Sequence, residues 1–334
     1  MYKQAEQIKD LISKAQKIVI VQADNPDADS LGSALALESI LSEMDKQPYL
    51  YSGVDMPGYL RYLKGWDRVS SELPKQFDIS IIVDASTMTL LEKLAASGQQ
   101  GWLVAKPAIV LDHHETVDNI IPFATVTIND AGRASAGELI YILAHQLGWV
   151  VPLEAQEFIM SSILGDTQGL TNQLASSETY RILADFIDNG VDRPALEELR
   201  REYGKMPRDI YSYKADLIKR TEFAADNRIA LVTIPQAEIT TYSPLYNPAP
   251  LIQNDMLQTA GVELAVVLKH YADGKITGAL RSNPMAPMAG KLAEHFGGGG
   301  HPFASGFKRM DRSIEDIKTD LVATATELLN KERK

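Results

Sequence analysis

Short apolar runs that stop abruptly at acids or turn residues set the rhythm of the first half of the chain. Lys17-Ile-Val-Ile-Val21 is apolar and β-branched, the make-up of a buried strand. It opens onto Gln22-Ala-Asp-Asn-Pro-Asp-Ala-Asp-Ser-Leu-Gly-Ser33, and Leu31 to Met44, rich in Ala, Leu and Glu, predicts a helix. Further strands are predicted over Pro48–Ser52, Ile79–Val83, Ala108–Leu111 and Phe123–Ile128. Helices are predicted over 1–16, over Leu90–Ser97 closing at Gly98, and from Arg133-Ala-Ser135-Ala-Gly-Glu138 to Gln146. Two more run from Pro152 towards Asp166 and from Ser176 to Asn189-Gly190. Strand, turn and helix alternate, which predicts an α/β fold: a mainly parallel sheet with helices on both faces.

The pattern changes after Asp192. Residues 192–225 are charged and helical, broken at Gly204 and Pro207, and read as a connector. Beyond them Ile229–Ile234, Glu263–Lys269 and Lys275–Arg281 read as strands of a second sheet. Tyr242–Pro250 reads as a loop, Pro287–Phe296 as a short helix and Ser313–Lys331 as a terminal amphipathic helix. The predicted organisation is a first domain over 1–190, a helical connector over 191–225 and a smaller α/β domain over 226–334.

The 334 residues suit two domains. There is no cysteine, which excludes disulfides and thiolate metal sites and leaves His and carboxylate ligands. No apolar run is long enough for a membrane helix, and the polar, periodic N-terminus does not resemble a signal peptide. A cytoplasmic location and no membrane partner are therefore expected. The net charge of −11 lies wholly before residue 226, because residues 226–334 carry twelve basic and twelve acidic side chains. Such a surface disfavours duplex DNA and other long polyanions, which bind through many Lys and Arg contacts. Oligomeric state is not set by the sequence; a homodimer is allowed.

The chemistry gathers where the apolar runs end. Asp24, Asp27 and Asp29 fall in a strand-to-helix turn, the edge of an open α/β sheet at which ligands bind. Pro26 stiffens that turn, and Asp29 or Ser30 can cap the helix. Capping needs one such residue; three crowded acids repel one another unless a cation lies among them. The same arrangement recurs at Asp84, at Asp112-His113-His114-Glu115 and at Asp166. Oxygen and imidazole donors suit Mn²⁺, Mg²⁺ or a related divalent ion. Two such ions roughly 3.5–4 Å apart can share a water and clamp a phosphoryl group.

These four stretches, in order and in context, resemble the DHH phosphoesterases, named for the Asp112-His113-His114 triplet. Gly297-Gly-Gly-Gly300-His301-Pro-Phe-Ala304-Ser-Gly306 resembles the glycine signature of the associated C-terminal domain, DHHA1. Within the family the likeness is greatest to the nano-RNases that also dephosphorylate 3′-phosphoadenosine 5′-phosphate (pAp). The resemblance implies two divalent ions, Mn²⁺ or else Mg²⁺. It puts Asp27 on the first ion, Asp29, His113 and Asp166 on the second, and Asp84 on both. It makes His114 the contact to the substrate phosphate or leaving oxygen, able to donate a proton. Asp112 is expected to orient the histidines rather than bind metal. One departure stands out. The family places a histidine four residues before Asp27, and this chain has Ala23 there, without a donor atom. Either Asp24 replaces that ligand, if the turn bends to bring it in, or it points to solvent and the first site is weak or fills only with substrate.

In the second domain Arg281-Ser282-Asn283 resembles the family's Arg-Ser element, and Arg281 is suited to a bidentate phosphate contact. Gly298, Gly299 and Gly300 are expected to offer backbone N–H groups to a phosphate or nucleotide, with His301 as a further donor. Arg133 is another candidate phosphate contact. The expected function is metal-dependent hydrolysis of short single-stranded oligonucleotides to mononucleotides, of pAp to AMP, or both. The expected substrate site is an interdomain cleft. The alternatives are a cyclic or linear dinucleotide phosphodiesterase and, from another class, a non-catalytic nucleotide-binding module.

Overall fold

A computed structural model describes residues 1–114, 120–243 and 246–331. The chain divides into two compact units, Met1–Lys205 and Met206–Lys334. Among the described residues no helix is long and apolar enough to cross a membrane.

The first unit is built on a five-stranded sheet of β1 (Lys17–Val21), β2 (Gln47–Tyr51), β3 (Ile79–Val83), β4 (Ala108–Asp112) and β5 (Val126–Asn129). The strand order is β2-β1-β3-β4-β5 and every pairing is parallel. β3 and β4 are buried along their whole length, which explains their continuous apolar sequence. Among the described residues eight α-helices surround the sheet: α1 (Ala5–Lys14), α2 (Ala28–Glu43), α3 (Glu92–Ala96), α4 (Gln100–Val104), α5 (Ala136–Leu147), α6 (Leu153–Asp166), α7 (Ser177–Asp188) and α8 (Arg193–Tyr203). Ile18, Ile20, Ile79 and Ile81 pack with α1, α2, α5 and α6 on one face. Val19, Val21, Ile82 and Val110 pack with Leu91, Leu94 and Leu103 on the other. The expected parallel α/β layering is therefore present. α2 and α6 approach closely because Gly32 has no side chain; a Cβ there would lie 2.7 Å from the Phe158 carbonyl oxygen.

The second unit holds a mixed six-stranded sheet of β6 (Glu222–Ala224), β7 (Ile229–Pro235), β8 (Leu264–His270), β9 (Ile276–Ser282), β10 (Gly299–His301) and β11 (Ala304–Arg309). The order is β10-β11-β9-β8-β7-β6, with only β7 and β8 parallel. Helices α9 (Arg208–Lys219), α10 (Gln236–Tyr242), α11 (Pro248–Leu257), α12 (Ala289–His295) and α13 (Ile314–Lys331) complete it. α12 and α13 cover one face and α9 and α11 the other.

Four expectations differ from this structure. The connector over 191–225 is not a separate body. Leu196 of α8 packs on the first core, whereas Ile210, Tyr213 and Leu217 of α9 belong to a core of the second unit. The same segment ends in β6, an edge strand too short and too exposed to leave an alternating pattern. The loop over Tyr242–Pro250 already contains the start of α11: Asn247 caps it, accepting from Ala249 N at 3.2 Å, and Pro248 sits in its first turn. Residues 244 and 245 of that loop lie outside the described residues. The glycine run is the fourth case. Gly297, with φ of 73°, and Gly298 close α12, their N–H groups donating to Glu294 O and Ala293 O at 2.9 and 2.8 Å. Gly299–His301 then pairs with Ala304–Gly306 as a hairpin. The first two glycines thus spend their N–H groups on the helix end rather than offering them to an anion.

Candidate metal centre

The carboxyl ends of β1, β3 and β4 deliver the acids and histidines. Asp27 is the N-cap of α2, its Oδ1 accepting from Ser30 N at 2.9 Å. Asp29, in the first turn of α2, is fully buried. Its Oδ1 accepts from Ser33 Oγ and Ser162 Oγ at 2.7 Å each and from Gly137 N at 3.2 Å. Its Oδ2 accepts from Ala136 N at 2.8 Å, so the carboxylate sits at the N-terminus of α5, where negative charge is favoured. Asp84 follows β3 with φ of 54°, a left-handed backbone uncommon for a side-chain-bearing residue and of the kind that clusters at functional sites. Asp166 ends α6.

His113 draws them together. Its Nε2 lies 2.9 Å from Asp166 Oδ2, 3.3 Å from Asp29 Oδ2 and 3.8 Å from Asp84 Oδ1. The other ring nitrogen, Nδ1, is 3.2 Å from the Arg133 carbonyl oxygen, which selects the tautomer with the proton on Nδ1 and leaves Nε2 as a ligand atom. His114 Nδ1 is held at 2.7 Å by Asp112 Oδ1, with Asp84 Oδ1 at 3.7 Å. Asp112 also accepts from Ser86 Oγ. Two ligand sets emerge, Asp29–His113–Asp166 and Asp84–His113–His114, each with its ligand atoms within 4.8 Å of one another.

So many crowded acids shift one another, although Asp27 reaches solvent and Asp166 is half-buried. Enclosure of its carboxylate by the surrounding protein, together with the charges of Asp166 and Asp29, pushes Asp27 up to about 7. Burial and the charges of Asp29, Asp27 and Asp166 hold Asp84 well above the usual carboxylate range. Burial and Asp29 raise Asp166. Burial acts the same way on Asp29, but the His113 ring, Ala136 N–H and Ser162 hydroxyl outweigh it and lower that acid. Burial opposes charge on His113, yet Asp166 and Asp29 push it up to about 11. Without a metal, protons neutralise the cluster; a divalent cation is the alternative.

The donors fit such a cation. Asp84 Oδ1 is buried with no hydrogen-bond partner among the described residues, a costly condition that coordination removes, and His113 Nε2 faces only the carboxylates of Asp166 and Asp29, which a shared cation would also hold. Carboxylate oxygen with imidazole nitrogen and no thiolate suits Mn²⁺ or Mg²⁺.

The other sequence candidates are placed as follows. Asp24 stands outside both ligand sets, its Oδ2 accepting from Lys93 N at 2.6 Å. The Arg133 guanidinium is engaged by Glu178 at 2.7 Å and Asp130 at 3.1 Å, with Glu138 at 3.6 Å. Its carbonyl, not its side chain, serves the centre. Ser282, in the second unit, is buried and binds the hairpin turn through Oγ to Pro302 O at 3.0 Å. Arg281, beside it on β9, is half-buried. Gly298 and Gly300 are tied to the hairpin: a Cβ at Gly298 would lie 2.1 Å from Gly306 O, and Gly300 has φ of 136°. A Cβ at Gly299 would meet nothing within 4 Å. The backbone of His301 belongs to β10, and its side chain and Glu115 lie outside the described residues. The supporting residues Ser33, Ser135, Glu138 and Ser162 were not singled out from sequence as parts of the site. The available signal was hydroxyls on helices otherwise apolar all round, such as Ser161-Ser162 of α6.

Comparison with known proteins agrees with this geometry. Residues 17–165 match the model of the DHH family, N-terminal domain. The bifunctional oligoribonuclease and PAP phosphatase NrnA of Bacillus subtilis is 24% identical over 323 residues, covering 92% of this chain and 96% of that protein. A probable bifunctional oligoribonuclease and PAP phosphatase NrnA of Streptococcus mutans is 25% identical over 292 residues, covering 86% of this chain and 88% of that one. The crystal structure of an exopolyphosphatase-related protein from Bacteroides fragilis superposes with a TM-score of 0.84 at 21% identity, covering 99% of this chain and 100% of that one, which shows the shared fold. The matched segment contains Asp27, Asp29, Asp84 and the Asp112-His113-His114 triplet and ends one residue before Asp166, and the chain thus carries the N-terminal domain of the DHH family and is a phosphoric-ester hydrolase.

Proposed function

We propose that the protein is a divalent-metal-dependent phosphoesterase that cuts short oligonucleotides to mononucleotides and pAp to AMP. The observation that carries this reading is the convergence of buried Asp29, Asp84 and His113 with half-buried Asp166, Asp84 Oδ1 having no hydrogen-bond partner among the described residues. Ions bound there, two in this reading, would neutralise charge on the phosphoryl oxygens and activate a water for attack. The chain's own groups do the rest. In this reading Asp84 would bridge the two ions, Asp27 would hold the first, and Asp29, His113 and Asp166 would hold the second; His113 is the residue the two ligand sets share. His114, anchored through Nδ1 by Asp112, would give the leaving oxygen a proton. Arg281 supplies a bidentate clamp for the non-reacting phosphate, and Gly299 lets the nucleotide approach the backbone closely. His301 adds a donor.

The test is a hydrolysis panel with Mn²⁺: pAp, di- to pentanucleotides, cyclic dinucleotides and inorganic pyrophosphate. Turnover of pAp and the shortest oligonucleotides is expected, with little on the others. Cyclic dinucleotides as the preferred substrate would replace this reading with a dinucleotide phosphodiesterase. Binding of pAp without turnover would make the chain a nucleotide-binding module.

A further inference from the structure

The position four residues before Asp27, occupied by Ala23, offers no metal ligand, and the alanine is buried among Val19, Val21 and Leu91. Asp24 does not fill the gap. Its backbone N donates to Leu90 O at 2.8 Å and its Oδ2 accepts from Lys93 N at 2.6 Å. The charges acting on it are those of Lys93 and Glu92, not those of the buried acids. Its Oδ1 is unpartnered but faces Gly53, where a Cβ would lie 2.5 Å away.

Gln22 is placed differently. Its N donates to Tyr51 O at 3.0 Å, which extends the β1–β2 pairing one residue past β1. Ile18 and Ile20 pack in the cluster that contains Leu31 and Leu35 of α2, and the two-residue period of a strand puts Gln22 on that same face. Ile109 and Leu111 of β4 share the cluster, and His113 follows them with the same parity. Val21 pairs with Ile82, so Gln22 stands level with Val83, the residue before Asp84. Its side chain is 0% exposed, and neither Oε1 nor Nε2 has a hydrogen-bond partner among the described residues. A buried amide with both ends unpaired is costly unless something absent from the polypeptide satisfies it.

We propose that the Gln22 carboxamide replaces the missing imidazole and supplies an oxygen ligand to the first ion of the centre. The proposal rests on the metal-centre reading above. An amide carbonyl is a hard, neutral oxygen donor of the kind that binds such cations. The cation would satisfy Oε1; the Nε2 hydrogens would need an acceptor of their own, such as an oxygen of another ligand or of a bound phosphate.

The experiment measures Mn²⁺ binding to the full chain by calorimetry and by electron paramagnetic resonance of the free ion. Melting temperatures are taken in chelator alongside. Wild-type protein is expected to bind two ions. Gln22→Leu should keep one and lose at least about tenfold in affinity for the other, the lower end of what losing even a supporting partner costs. Gln22→Glu should restore the lost affinity, and Asp24→Asn should bind as wild type does. In chelator Gln22→Leu should melt no lower than wild type, since no polar group is left unpaired. If Gln22→Leu does not fold, Gln22→Asn, shorter by one methylene, must show the same selective loss. Two-ion binding unchanged in Gln22→Leu overturns the assignment while leaving the metal centre standing. A selective loss in Asp24→Asn instead also overturns it. Wild-type protein that binds no Mn²⁺ removes the metal centre and this proposal together.

Discussion

Asp27 carries the charge problem of the centre in its simplest form. Its ordinary carboxyl value is 3.8; the residue reaches solvent, yet enclosure of its carboxylate by the surrounding protein and the charges of Asp166 and Asp29 bring it up to about 7 in the metal-free fold. An acid whose folded value is raised contributes stability that is fully present below its unfolded value and is lost as pH rises through the folded value. The metal-free protein should therefore lose stability between about pH 4 and 7 through this group. His113, raised from 6.5 to about 11, adds stability that is kept up to about pH 6.5 and lost as pH rises from there through about 11. Melts in chelator across this range should show Asp27→Asn with a shallower decline than wild type, and Mn²⁺ should remove the decline by replacing the protons. Parallel pH profiles for the two proteins in chelator would contradict the crowding and repulsion assigned to Asp27. At this scale the sequence was readable where chemistry and position coincide. Acids at the ends of apolar runs announced Asp27, Asp29, Asp84 and Asp166. It was unreadable where a residue acts through its backbone: Arg133 serves His113 by its carbonyl, and no side-chain pattern marks that.

Among the elements, α2, α5 and α6 meet in a seam of small residues that grips Asp29. Ser162 Oγ bridges Asp29 Oδ1 and Ser135 Oγ at 2.7 Å each, and a Cβ at Gly137 would lie 2.2 Å from that same oxygen. Ser162→Ala should cost about 1–3 kcal/mol, the penalty for stripping a donor from a buried charged group. Gly137→Ala should cost about as much through overpacking. Gly299→Ala is the contrast: its Cβ meets nothing, so stability should stay within about 0.5 kcal/mol. Urea denaturation of the three variants checks the ordering; an undisturbed Gly137→Ala would mean that the seam is looser than drawn. Legibility at this scale followed burial. The strands β1, β3 and β4 are covered on both faces and stood out as unbroken apolar runs. β6 and β11 each run mostly exposed or half-exposed, and their place comes from pairing with β7 and β9 rather than from their own pattern. The Asn247-Pro248 pair was ambiguous because the same residues that make a loop also cap and open a helix.

For the molecule as a whole, the division of labour between the two units is the proposal most open to test. All residues of the two ligand sets lie in the first unit, and Arg281 lies in the second. The guanidinium has no ion-pair partner among the described residues, so it is available to a phosphate. Arg281→Ala should raise KM for pAp and a dinucleotide by roughly ten- to a hundredfold, the equivalent of a charge-assisted contact worth about 1.5–3 kcal/mol. Mn²⁺ affinity should be untouched, because no ligand is lost. Equal losses on pAp and pyrophosphate would deny the second unit its role in holding the nucleotide. The net charge tells the same story of short substrates: the excess of acids before residue 226 suits a small anion held by ions and a few side chains, not a long strand.

The central claim is that the buried acids and His113 form a metal centre that hydrolyses phosphate esters. Its most direct test is a titration of chelator-stripped protein with Mn²⁺ while pAp hydrolysis is followed, in wild type and in Asp84→Ala. The account predicts no turnover without metal, a rate that rises to a plateau at two ions per chain, and a folded Asp84→Ala protein without turnover at any Mn²⁺ concentration. Full turnover in chelator, or near-normal turnover by Asp84→Ala, would contradict it.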